Sequence, residues 1–470
     1  MGAKHLCVGI SPARELPRRG RLWAALEAAH GVCFQPLETS EPGDLDAIVR
    51  IGETIDPHAP PAIAMPAIPL LEMAAEERPG GTARPVELAD DGALARPLRG
   101  AGLSDSFAAL PTEPMAPAPG EVVLARLGDS PAWLVNRASR HHRVACAPAE
   151  LAQGQALRER LQAGRCLAVL ALSQFLRDLD PGHALPAPRA AFVIDDPNLH
   201  WPSYGHIRYP QLLGHAREHG YHLSIAMAPL DGWLAHPRAV RVFREGSRHL
   251  SICIHGNDHD GPELGREDSW QGNLARAAQA LDRSATFAER TGLTVERVMV
   301  PPHERITESA ARALAACGFQ AVCTTRPYPW IAASEEVSWL QGPPEAGALS
   351  GWPPVELVAG GLPMLLRTDF RYPREDHVLR AFLGQPTILY GHHDLLAGGL
   401  DVLAEATHEL NRLGDVEWCS LGSMARAAPA PGAVSGEDRR SGPIATPPTR
   451  LRPVLRRLLS EGRDRLQAIG

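Results

Sequence analysis

The chain has 470 residues, 44% of them apolar and 21% charged, and a formal net charge of −7. That length makes two domains the default and leaves enough apolar material for a sizeable core. The negative balance gives no reason to expect a nucleic-acid partner, and no apolar run is long enough to span a bilayer.

Residues 1–185 read as a separate α/β unit. His5-Leu6-Cys7-Val8-Gly9-Ile10 is a strand, Leu22 to Leu26 lies in a helix, and Asp46 to Ile51 is a second buried strand. Residues 75–120 are rich in Pro, Gly and Ala, with weak periodicity. Glu121–Ala125 and Ala132–Val135 form a strand pair around Gly-Asp-Ser-Pro, and Ala156 to Leu179 is helical. The arrangement looks faintly like the flavodoxin-like domains related to class I glutamine amidotransferases. Their nucleophile would need Gly-x-Cys-x-Gly, which no cysteine here has, so a non-catalytic unit is expected. The eight cysteines contain no CxxC pair, and neither a basic nor an apolar stretch follows Met1, so no secretory leader is expected. Buried reduced thiols in a cytoplasmic protein are the expectation.

A breaker-rich linker, Asp180 to Arg189, leads into a second unit spanning 186–425. There, apolar strands repeatedly end in polar chemistry. Phe192-Val193-Ile194 runs into Asp195-Asp196-Pro197-Asn198, and Ile252-Cys253-Ile254 into His255-Gly256-Asn257-Asp258-His259. Val298-Met299-Val300 ends at Pro301-Pro302-His303, and Thr387 to Tyr390 ends at Gly391-His392-His393-Asp394. Further strands are expected at 221–227, 321–325, 363–367 and 416–419, with helices between them, the longest from about Glu267 to Arg290. Strands alternating with helices predict a distorted (β/α)7-type barrel, whose site lies at the carboxyl ends of its strands. Two adjacent carboxylates at a strand end call for a neutralising cation, and a metal is the obvious one.

A second histidine pair, His215 and His219, fits His-x-x-Glu-His but falls on a short helix between Pro210 and Gly220. The barrel reading places that helix on the solvated outside.

The order of motifs from residue 186 to 425 resembles the polysaccharide deacetylases, the family-4 carbohydrate esterases. Ile194-Asp195-Asp196 matches the first motif, His255 and His259 the second, Pro301-Pro302 part of the third, and Leu389 through His392 or His393 the last. The resemblance implies a divalent ion, zinc or another borderline metal, held by Asp196, His255 and His259. It implies Asp195 as general base and His392 or His393 as the acid that protonates the leaving amine, with His392 preferred. Pro302, His303, Trp201 and Tyr204 are the expected substrate-binding positions. The implied reaction is hydrolysis of an N-acetyl group on an amino sugar or polysaccharide. Another metal-dependent C–N or C–O hydrolase, or a non-catalytic carbohydrate-binding relative, would share the barrel.

Two departures stand out. Val300 occupies the position of the family's third-motif arginine, so Arg305 or His303 is expected to substitute, and Pro197-Asn198 replaces Gly-Pro. Residues 426–470 read as an Ala/Pro/Gly/Ser-rich linker and an amphipathic helix. Its leucines Leu455, Leu458 and Leu459 and its arginines suggest a peripheral contact through 450–469, with an anionic membrane surface or a protein.

Overall fold

The computed structural model describes residues 6–40, 44–52, 68–78, 81–111, 115–180, 186–325, 347–371 and 374–428. It also describes Val454, Leu455, Arg457, Leu458, Leu459 and Gly462. The expected linker from residue 429 onward, and the leucines and arginines beyond Gly462, lie outside the described residues. The chain separates into two units. The first is Met1–Pro186 with Pro344–Pro353 and Pro373–Gly384, and the second is the remainder. A linear division at 185/186 misses those two later stretches.

In the first unit the strands are β1 (Leu6–Ser11), β2 (Val32–Pro36), β3 (Ala47–Ile51), β4 (Leu70–Glu76) and β5 (Arg84–Leu88). They are followed by β6 (Gly102–Asp105), β7 (Glu121–Leu127), β8 (Ser130–Asn136) and β9 (His141–Ala147). The sheet order is β2-β1-β3-β4-β9-β8-β7-β5-β6. Pairing is parallel from β2 to β9 and antiparallel from β9 onwards. The parallel half thus has the 2-1-3-4-5 order of a flavodoxin-like sheet, with β9 as its fifth strand. The antiparallel half beyond the β7–β8 hairpin was not legible, because β5 and β6 come from the Pro- and Gly-rich stretch.

The expected helix from 156 to 179 is shorter, Leu167–Asp178, after a single 3-10 turn at Leu157–Arg160. Gly164, at φ 81°, breaks the two apart. Asp105 Oδ2 accepts the N–H groups of Cys166 and Leu167, both at 2.9 Å, so a carboxylate meets the helix start. The helix Glu375–Phe382, which follows a barrel strand in sequence, belongs to this first unit: Asp376 pairs with Arg158 at 2.5 Å.

The second unit is a closed barrel of seven parallel strands. These are β10 (Arg189–Asp195), β11 (Leu223–Met227), β12 (Leu250–His255), β13 (Val295–Val300), β14 (Ala321–Thr324), β15 (Leu362–Asp369) and β16 (Thr387–Gly391). β10 closes the ring by pairing with both β11 and β16. The expected strand at 416–419 is short (Glu417–Trp418) and only pairs beside the first residues of β10. Helix ends follow local chemistry. Thr307 caps Glu308–Cys317, accepting from the Ala310 N–H at 3.2 Å, and left-handed glycines stop helices at Gly220, Gly292 and Gly318.

Period-2 alternation decides what enters the barrel. Ala191, Val193, Ala226, Cys253, Val298, Val300, Cys323, Leu365 and Ile388, drawn from all seven strands, form one buried cluster. Two residues after Val193, Cys253, Leu365 and Ile388 stand Asp195, His255, Arg367 and Tyr390. The inward rows therefore end in polar groups at the carboxyl end of the barrel.

Candidate active site

Asp195 is 3% exposed and receives a bidentate pair from Arg367: Nη1 to Oδ1 and Nη2 to Oδ2, each 2.7 Å. Burial pushes the Asp195 carboxyl up, but Arg367 and then His255 outweigh it and hold it below the ordinary carboxylate value. Arg367 also bonds Glu304 and lies 4.1 Å from the centre of the Tyr390 ring. Glu304 in turn accepts the Thr325 N–H at 2.6 Å and the Thr324 hydroxyl at 3.1 Å. The cation beside Asp195 is therefore Arg367 on β15, not Arg305, which is exposed. His303, the other expected substitute, is also exposed. Chain proximity to Val300 misled the expectation; in a closed barrel, a strand two places round from β13 can bring an inward side chain to the same spot.

Asp196 leaves the strand at φ 80°, which brings its carboxylate to the same end of the barrel as Asp195 instead of the strand's outer face. Its Oδ1 is 3.2 Å from His259 Nε2 and 4.0 Å from His255 Nε2. The three ligand-type atoms lie within 4.8 Å of one another. His255 donates Nδ1–H to the Val300 carbonyl at 2.9 Å, which leaves the Nε2 lone pair facing Asp196. Burial, then His255, pushes the His259 imidazole down to about 4, so it is a neutral donor near pH 7. One oxygen and two imidazole nitrogens at this spacing fit a divalent ion.

Glu263 shapes the turn that carries His259. Its carboxylate accepts the N–H groups of Asn257 (2.7 Å), Asp258 (3.2 Å) and His259 (3.0 Å). Gly256, at φ 66°, has no room for a side chain, since a Cβ would meet the Glu263 carboxylate and stand 2.6 Å from Pro302. Five described non-glycine residues have positive φ, and four of them (Asp196, His259, His303, Glu304) sit at this end of the barrel. Such backbone strain is commonly concentrated at functional sites.

Of the two candidate acids, His392 has its Nε2 3.8 Å from Asp196 Oδ2. It follows Tyr390 by two residues, which fits the inward row. His393 instead packs against Tyr204 and His206, ring centres 5.6 Å apart in both cases, over Gly205. Trp201 is 46% exposed, Tyr204 is buried, Pro302 is buried under Gly256, and His303 has its ring 5.9 Å from that of His259. The His215/His219 pair is apart from this group, on the helix Tyr209–His219, with rings 4.3 Å apart and His215 bonded to the Tyr221 hydroxyl.

Two further charged residues at the site were not anticipated there. Asp231, from the turn after β11, is buried and faces Arg457 of the C-terminal segment. The Arg457 guanidinium meets Asp231 Oδ2 at 2.5 Å and Asp196 Oδ1 at 3.0 Å. Leu455, Leu458 and Leu459, the leucines of the expected peripheral contact, are all exposed. Among the described residues, no helix is long and apolar enough to cross a membrane.

No family model matches the chain, and no curated protein matches it. Among solved structures, it is similar to a protein of Mycobacterium smegmatis named as a polysaccharide deacetylase, at 14% identity and a TM-score of 0.36, covering 56% of this chain and 96% of that one. It is similar to a family 4 acetyl xylan esterase from Clostridium thermocellum in complex with a cobalt ion, at 11% identity and TM-score 0.29, covering 51% and 90%. It is also similar to a 4-alpha-glucanotransferase from Thermococcus litoralis, at 10% identity and TM-score 0.36, covering 53% and 41%. Likenesses this distant carry no weight beside the geometry.

Proposed function

We propose that this chain is a metal-dependent hydrolase that removes N-acetyl groups from an amino sugar or polysaccharide. The observation that carries the reading is the group Asp196, His255 and His259, set beside a buried carboxylate, Asp195, at the mouth of a seven-stranded barrel. A divalent ion of zinc type held by these three would polarise the acyl carbonyl and acidify a bound water. Asp195 takes the proton from the attacking water. Arg367 holds it ionised and fixes its plane with two parallel hydrogen bonds. His392 delivers a proton to the departing amine, because it reaches Asp196 while His393 is committed to the 204–206 turn. Trp201 offers an exposed aromatic face to a sugar ring.

The test is metal-free protein, reloaded with zinc or cobalt, assayed for acetate release from N-acetylated amino-sugar oligomers. Wild type should bind about one ion per chain and release acetate. His255→Ala should lose the ion, whereas Asp195→Asn should keep it and lose about 10²–10⁴ in turnover. Equal metal in wild type and His255→Ala would sink the assignment of the triad.

A further inference from the structure

The C-terminal segment places one arginine where the proposed ion-binding oxygen lies. Arg457 Nη1 stands 3.0 Å from Asp196 Oδ1, the same oxygen that faces His259 Nε2 at 3.2 Å. Its Nη2 also approaches the Asp196 carbonyl at 3.4 Å. The rest of the guanidinium is held by Asp231, with Nε at 3.3 and 3.1 Å from the two carboxylate oxygens and Nη2 at 2.5 Å. Both partners are sequestered: the Arg457 side chain is 12% exposed and that of Asp231 3%.

Asp231 is itself built into the barrel mouth. It follows β11 in the turn Pro229–Trp233, and His200 donates to its backbone carbonyl at 2.8 Å. Its carboxylate is not part of the triad, yet it shares one guanidinium with the triad's own aspartate. A buried carboxylate needs a cation, and this one is met by a residue more than two hundred positions later in the chain. The exposed leucines on either side of Arg457 agree with this. Among the described residues of the segment, Arg457 turns inward, with a side chain 12% exposed.

We propose that Asp196 and Asp231 form a guanidinium-binding cradle at the mouth of the site, and that Arg457 occupies it in competition with the divalent ion. The inference rests on the triad reading above. An ion bound to Asp196 Oδ1 must lie about 2.0–2.2 Å from that oxygen and be joined by both imidazoles. A guanidinium bonded to the same oxygen contests those lone pairs and adds a like charge beside the ion. Seating the segment and loading the ion are then linked reciprocally: each weakens the other by the same factor.

The experiment titrates cobalt(II) into metal-free full-length protein, following the visible spectrum, and compares wild type, Arg457→Ala and Arg457→Lys. Arg457→Ala should bind cobalt about tenfold or more tightly than wild type, with lysine, a point charge without the fork, in between. Guanidinium ion added to Arg457→Ala should weaken cobalt binding back toward the wild-type value. Trypsin should cut wild type after Arg457 faster when cobalt is present, because the ion expels the segment. Equal cobalt affinities in wild type and Arg457→Ala, with a cleavage rate indifferent to cobalt, would overturn the proposal while leaving the triad intact. Failure of cobalt to bind any of the three proteins at the triad would overturn both.

Discussion

At the scale of single residues, the decisive contact is Arg367 on Asp195. A fully buried carboxylate stays ionised only beside a cation, and here the cation is a bidentate arginine. Removing it leaves Asp195 with its burial penalty and the weaker help of His255, so its pKa rises. Arg367→Ala should therefore keep metal content near wild type but move the acidic limb of the pH–rate profile to higher pH. It should also lower stability by about 3–5 kcal/mol, the usual consequence of stranding a buried charge. Arg305→Ala, an exposed position, should leave the limb where it is. Kinetics across pH on the two variants decide the matter, and a limb that moves only with Arg305 would reverse the assignment. His392 invites a similar comparison. His392→Ala should depress turnover strongly, while His393→Ala acts mainly by loosening the turn at Tyr204–His206 and shows as lost stability.

At the scale of elements, the turn after β12 is organised by Glu263. Three consecutive N–H groups converge on one buried carboxylate, and this holds His259 at φ 54° where its ring can face Asp196. Glu263→Gln keeps the size but loses the charge that gathers those donors. Metal affinity should fall about 10–100-fold, as it does when groups behind the ligands are changed. Isothermal titration with zinc would measure it, and an unchanged affinity would mean the turn holds itself. At the opposite end of the same barrel, His222 donates to the Arg248 carbonyl at 2.9 Å and meets the Ser251 hydroxyl at 3.0 Å. Burial pushes its pKa down to about 4. Because an unfolded histidine titrates near 6.5, unfolding takes up a proton once pH drops below that value. The stability His222 contributes is therefore present above about pH 6.5 and is lost as pH falls toward 4. Between pH 7 and pH 5 the stability gap between wild type and His222→Gln should narrow by about 2 kcal/mol. Urea unfolding at the two pH values reads this, and a constant gap would show that His222 titrates in the fold as it does in the unfolded chain.

At the scale of the whole molecule, much was legible because it depends on local pattern. Alternating apolar strands and helices, with glycine and threonine at their ends, announced the barrel, and the closed ring of seven strands bears that out. Asp195, Asp196, His255 and His259 were visible because each ends or follows an apolar run, and a strand's end is a local property. Arg367 carried a weaker signal: it is the charged residue at the inward register of Pro363 to Arg367, two positions after Leu365. That signal could be read only once the facing direction of the strand was known. The sequence by itself determined which residue types stand at the strand ends and that neighbours alternate between two faces, because those follow from backbone geometry alone. Only the tertiary structure decided which distant groups meet. Barrel closure brought Arg367 rather than Arg305 to Asp195, the chain's return gave 374–384 to the first unit, and folding of the C-terminal segment set Arg457 against Asp231. None of these pairings has a sequence signature, because charge attraction and burial act through space and the intervening chain length leaves no mark on the residues that meet.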